Sequence, residues 1–116
     1  MAQFEILGSY NNNVAPFRFN NQIGFVSKDG KIVKKPLYEE ILSYSNGLAP
    51  VNLNGKWGFV NFEGKEVIKP KYNEIFGFSK GLAGAKKDNK WGFINATGQV
   101  AVPFKYDVVT DFAEGY

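Results

Sequence analysis

The stretch GKWGFVNFEGKEVIKPKYNEI, from Gly55 to Ile75, is rewritten twice in the same chain. Residues 21–41 read NQIGFVSKDGKIVKKPLYEEI, and residues 89–109 read NKWGFINATGQVAVPFKYDVV. The copies begin at 21, 55 and 89, a spacing of 34 both times, and they align without a gap. The period reaches further: NNNVAPFRFN (11–20), SNGLAPVNLN (45–54) and SKGLAGAKKD (79–88) share the same offset. Phe4, Leu7 and Tyr10 fall one period before Tyr38, Ile41 and Tyr44, and Asp111, Phe112 and Gly115 fall one period after Gly77, Phe78 and Gly81. The 116 residues therefore divide into an N-terminal half-repeat (1–20), two full repeats (21–54 and 55–88) and a truncated third (89–116), with nothing left over for a separate catalytic domain. A period of this length means one supersecondary unit per repeat, each burying its apolar faces on its neighbours.

Within each unit the signals are those of strands. Runs of Val, Ile, Phe, Tyr and Trp are cut by Gly and Asn, and no apolar run keeps a helical period. The first run, LAPVNL, alternates Ala49, Val51 and Leu53 against polar or small residues. It ends at Asn54-Gly55, a hairpin turn whose two central residues need positive φ; Asn20-Asn21 and Asp88-Asn89 hold the same place. The second run, WGFVNF, should send Trp57 and Phe59 to one face and Gly58 and Val60 to the other. Gly30, Gly64 and Gly98 mark the next turn. In the third run, Pro36 and Pro70 should end the ladder, because proline has no donor. The return segment YNEIFGFSKG fits a short fourth strand or an irregular turn equally well. The expected fold is all-β: an array of three-stranded antiparallel meanders in an open, solenoid-like stack. A propeller-like arrangement and a small barrel are the alternatives.

Lys56-Trp57-Gly58-Phe59 and Lys90-Trp91-Gly92-Phe93, with the Gly64 and Gly98 turns, Pro70-Lys71-Tyr72 and Gly81-Leu82-Ala83, resemble the bacterial WG-repeat (KWG-repeat) family. The resemblance spans nearly the whole chain. It implies an all-β repeat array that acts as an interaction module and has no enzymatic activity of its own. Ile23 departs from the pattern, standing where Trp is expected, and Pro103 falls one place earlier than Pro70 does.

Histidine and cysteine are both absent. Imidazole acid–base chemistry, Ser–His triads, thiol chemistry and disulfides are thereby excluded, and no metal or cofactor site is expected. The carboxylates fall into repeat columns, Glu39 with Asn73 and Asp107, and Glu40 with Glu74, which marks a structural task rather than a glycosidase pair. No catalytic residue is expected. Asn95-Ala96-Thr97 has the form of a glycosylation site without a secretory context. The start, MAQFEILGSYNNN, lacks the basic and apolar regions of a signal peptide, and no apolar run is long enough for a membrane helix. The cytoplasm is the expected compartment, with no membrane partner.

The Trp-Gly pairs could be aromatic platforms for sugars or bases. Ile23 in the same column favours a core ladder instead, with Trp57 between Ile23 and Trp91. Phe25, Phe59 and Phe93 form a second core column, and Tyr38, Tyr72 and Tyr106 a third. With a formal charge of +3 and a pI near 9.1, the chain is mildly basic. Its cations also fall in columns: Lys31 with Lys65, Lys35 with Lys69, Lys71 with Lys105, Lys56 with Lys90, and Arg18 with Lys86. Stacking turns each column into a line. Such lines serve solubility, an acidic protein or nucleic acid. The functional expectation is an adaptor or inhibitor that binds another protein, with a nucleic-acid or ribonucleoprotein target as the alternative and self-association left open.

Overall fold

The computed structural model describes residues 4–107. The continuation of the period at Asp111, Phe112 and Gly115, and with it the end of the truncated repeat, lies outside the described residues. Among those described there are twelve strands and no helix long and apolar enough to cross a membrane. The strands are β1 (Phe4–Ile6), β2 (Val14–Phe19), β3 (Gln22–Ser27), β4 (Ile32–Tyr38), β5 (Glu40–Ile41), β6 (Ala49–Leu53), β7 (Lys56–Val60), β8 (Glu66–Tyr72), β9 (Glu74–Ile75), β10 (Leu82–Lys87), β11 (Lys90–Asn95) and β12 (Val100–Tyr106). They form three four-stranded antiparallel sheets, β1–β4, β5–β8 and β9–β12, each in chain order, and no closed barrel. Each sheet is the expected three-stranded meander plus a short strand from the return segment.

That short strand joins the sheets. β4 runs through Glu39 straight into β5, so one bent stretch of chain ends the first sheet and begins the second. The Glu39 N–H already donates to the Asn52 carbonyl (2.9 Å), and the Leu42 N–H to that of Pro50 (2.9 Å). Asn73 repeats the crossing into the third sheet, donating to the Lys86 carbonyl at 2.8 Å.

Turn chemistry sets the hairpins. Asn54 and Gly55 take φ of 53° and 84°, and Asn20-Asn21 and Asp88-Asn89 are likewise left-handed, as the tight turn requires. A second set of tight turns closes the return segments, with Asn12-Asn13, Asn46-Gly47 and Lys80-Gly81 all at positive φ. Lys80 is the exception in composition, since lysine gains nothing locally in this region where Asn does. Asn61 shapes the β7–β8 connection: its Oδ1 accepts from the N–H groups of Glu63 (2.9 Å) and Lys65 (3.0 Å). Asn95 does the same for Thr97 (3.0 Å) and Gln99 (2.9 Å).

The glycine after each Trp or Ile of the column is fixed by a close approach. The last strand of every sheet is bulged, so that Trp57 faces Tyr72 while Phe59 faces Ile68. The extra residues press their backbone onto Gly58. A Cβ there would lie 2.5 Å from the Ile68 carbonyl oxygen and the Pro70 nitrogen; Gly24 and Gly92 are held the same way. Pro36 and Pro70 do not end the ladder as expected. They sit inside β4 and β8 at the bulge of an edge strand, where no donor is needed, and the strands run on to Tyr38 and Tyr72.

The core lies between sheets. Ile23, Phe25 and Tyr38 of the first sheet pack on Ala49, Val51 and Val60 of the second. Phe59, Ile68 and Tyr72 of the second pack on Ala83, Ala85 and Ile94 of the third, with Phe78 edge-on to Phe59 at 4.7 Å. Strand alternation produces this arrangement: Phe59 and Val60, adjacent on β7, belong to different cores. Each sheet thus presents large rings forward and small residues backward. Gly64 completes the fit, because its turn rests on the Phe25 ring and a Cβ would come within 2.6 Å of it. The stack is elongated at 45 × 25 × 20 Å, with a radius of gyration of 14.7 Å against about 13 Å for a compact chain of this length.

The first joint also carries a polar node. The Tyr38 hydroxyl donates to Glu66 Oε2 across the two sheets (2.5 Å), and Lys34 Nζ donates to the same hydroxyl (3.0 Å). Burial, and then the Glu66 carboxylate, push the Tyr38 phenol well above its ordinary value, while burial lowers Lys34. Tyr44 stacks on Phe62 and donates to the Asn61 carbonyl (2.8 Å); burial pushes its pKa up to about 12.

Gly58→Ala should cost about 3 kcal/mol in urea unfolding, as overpacking against backbone does. Gly77→Ala, whose Cβ meets nothing within 4 Å, is the control and should be near neutral. Lys80→Asn should stabilise by about 1 kcal/mol, by relieving a left-handed lysine. Tyr44 holds its proton more tightly folded than unfolded, so its contribution is complete below about pH 10 and is lost as pH rises through about 12. Between those values the urea midpoint of the wild type should therefore fall more steeply than that of Tyr44→Phe.

Candidate functional site

Outward-facing cations are placed by the same alternation. On β8, Ile68 and Tyr72 are buried while Val67, Lys69 and Lys71 are exposed. On β4 the exposed set is Ile32, Val33, Lys35 and Leu37, and on β12 it includes Lys105. Lys31 and Lys65 stand exposed in the turns before β4 and β8. β4, β8 and β12 are all edge strands. Lysine, proline and a bulge on such an edge also discourage pairing with another sheet.

The candidate cations separate into two groups. Arg18 pairs with Glu5 across β1 and β2, and Lys86 with Glu74 across β9 and β10, both at 3.4 Å. Lys90 pairs with Asp107 at 2.5 Å, and that hydrogen bond holds the Asp107 carboxyl below its ordinary value. Among the described residues no ion pair takes Lys31, Lys35, Lys65, Lys69, Lys71 or Lys105. Lys71 and Lys105 instead lie over the neighbouring Tyr72 and Tyr106 rings, at 5.6 and 5.7 Å.

The aromatic columns divide as well. Ile23, Phe25, Phe59, Tyr38 and Tyr72 are fully or almost fully buried. Trp57 is only half-buried and belongs to neither core, which corrects the expected ladder. It stands at the rim beside the 54–55 turn, opposite Asn52 and Tyr72. Trp91 is buried, but its ring stacks on Phe76 of its own sheet, with centroids 5.1 Å apart and planes 16° apart. Phe93 is half-buried and Tyr106 is 42% exposed, where Tyr38 and Tyr72 are covered by the sheet that follows theirs.

Among the described residues no three acidic, histidine or cysteine side chains are grouped to hold a metal. Three of the four column carboxylates have structural partners: Glu39 Oε1 accepts from the Asn54 N–H at 2.6 Å, Glu74 holds Lys86 and Asp107 holds Lys90. Sequence reasoning missed a cleft of about 520 Å³ at the first joint, lined by Leu7, Pro16, Arg18, Ile41, Leu42, Ser43 and Tyr44. Its signal was present in two columns. Ile23 stands where later copies have Trp57 and Trp91, and Gly8 falls in the sequence column of Leu42 and Phe76, although β1 is paired one residue out of that period and Leu7 takes their place in the fold.

No curated protein and no solved structure matches the chain. A family model described as WG containing repeat matches it three times, over residues 23–57, 57–91 and 91–116. Its boundaries follow the Ile23–Trp57–Trp91 column, which the fold places beside the bulge glycine of each sheet. The chain belongs to the WG-repeat family.

Proposed function

We propose that this protein is a non-enzymatic cytoplasmic module that docks an acidic protein surface, as an adaptor or inhibitor. Membership in the WG-repeat family points to a repeat-based binding module. One observation supports the finer reading: Lys35, Lys69, Lys71 and Lys105 project from the outward face of corresponding strands in successive sheets, with no ion pair among the described residues. A row of unpaired ammonium groups steers an acidic partner and sets its register. Arg18 and Lys86 are already neutralised across their own sheets and contribute less. A nucleic-acid target would also want exposed rings on which bases stack. Trp91 is buried against Phe76 and Trp57 is half-covered, which favours the protein partner.

The test compares wild type with the Lys35→Glu, Lys69→Glu, Lys71→Glu, Lys105→Glu variant as bait in lysate with and without nuclease, with circular dichroism confirming that both fold. A discrete protein should be captured by wild type and released as salt rises, and its affinity for the variant should fall by at least about tenfold. Equal capture by both baits would sink the lysine reading. Capture that disappears with nuclease would make nucleic acid the target.

A further inference from the structure

The cleft at the first joint has a place in the repeat that the third sheet fills from within. In the third sheet its column positions are Phe76 and Trp91, stacked at 5.1 Å. In the first sheet β1 is paired one residue out of the sequence period, so Leu7, whose N–H donates to the Pro16 carbonyl as the Phe76 N–H does to that of Gly84, holds the place of Phe76, and Ile23 that of Trp91; neither ring is present. Leu7 itself lines the cleft, and Arg18, which also lines it, is paired with Ile23 across β2 and β3, which puts the cleft at those places. Leucine and isoleucine are smaller than the phenylalanine and tryptophan whose places they hold, and the cleft lies beside them.

Its lining is specific in chemistry. Leu7, Pro16, Ile41, Leu42 and Tyr44 are apolar, and Tyr44 is held in place by stacking on Phe62 and by its bond to the Asn61 carbonyl. Arg18 is the single charged residue of the lining, and Ser43 adds a hydroxyl. The Arg18–Glu5 pair is 3.4 Å long and open to solvent on both sides, so a competing carboxylate displaces Glu5 at little cost. Its volume is in the range of small-molecule sites.

We propose that this cleft binds a small aromatic carboxylic acid, with the ring in the space left by the missing Phe–Trp pair and the carboxylate on the Arg18 guanidinium in exchange for Glu5. A planar guanidinium both flanks a ring and forks to a carboxylate, a combination lysine does not offer. The proposal is independent of the lysine rows, which lie on the outward faces of β4, β8 and β12.

The probes are indole-3-propionate and its uncharged amide, titrated into the isotope-labelled protein and read from backbone amide shifts. For the acid, saturable shifts should be confined to Leu7, Arg18, Ile41, Leu42, Ser43 and Tyr44, with Kd on the order of 1 mM or below for a ligand this small. The amide should bind about three- to fivefold more weakly. Arg18→Gln should remove that preference while the ring still binds, and Glu5→Gln should tighten the acid by about twofold or more. Leu42→Asp should abolish binding of both; Leu42 is 43% exposed and outside both cores, so the fold is kept. Shifts that scatter over the surface or never saturate would overturn the site. Equal affinity for acid and amide in the wild type, or no response to Glu5→Gln, would overturn the role of Arg18.

Discussion

Phe25 and Phe59 sit between sheets, each a large ring pressed onto small residues of the sheet that follows, and everything else in the molecule is arranged around those contacts. A four-stranded sheet of this size has two faces and too few residues to bury either alone. Stacking solves the problem in one direction only, rings forward and Ala or Val backward. The glycine turn at Gly64 must be bare for the Phe25 ring to lie against it, and the bulge at Gly58 curves the edge strand around the same core. Each buried ring is worth about 1.5–3 kcal/mol of transfer free energy, so the two joints rather than the individual ladders hold the array together.

Much of this was legible in the sequence because turn chemistry and alternation are local. Asn54-Gly55 and its equivalents specify left-handed residues at both turn centres, and the alternation across Phe59 and Val60 sends neighbours into different cores. The β5 and β9 strands were not decidable, since two residues carry no period and their pairing depends on the sheet ahead. Trp57 misled because a repeat column reports a shared position, not shared burial; cover at the rim depends on what stands one column away, Leu42 in one sheet and Phe76 in the next. The prolines misled for a related reason. A missing donor ends a ladder only where the ladder needs one, and an edge bulge does not.

The candidate binding surface was legible only in part. The lysine columns were visible as sequence spacing, but spacing could not tell Lys69 and Lys71, which face water, from Lys86, whose charge is met by Glu74 across the strand pair. Nor could the cleft be read from any one residue. It lies where Leu7 and Ile23 take the places of Phe76 and Trp91, and the one-residue shift of β1 that puts Leu7 there shows only in the folded register. The polar node of Tyr38, Glu66 and Lys34 has the same character. In the second joint those columns hold Tyr72, Val100 and Ile68, so one joint is tied by charge and hydroxyl and the other by apolar contact.

The crossing at Glu39 makes the sheets and the sequence repeats different partitions of one chain. The second sheet runs from residue 40 to residue 72, while the repeats written in the sequence begin at 21 and 55. Every seam between sheets lies inside a continuous extended stretch, and every seam between sequence copies lies inside a hairpin turn. An in-frame gain or loss of 34 residues therefore needs no particular starting point: wherever the cut falls, the rejoined chain recreates one whole sheet and one whole joint. Such a gene can lengthen or shorten by unequal recombination without ever producing half a fold, which leaves the number of sheets free to change faster than the residues that build them.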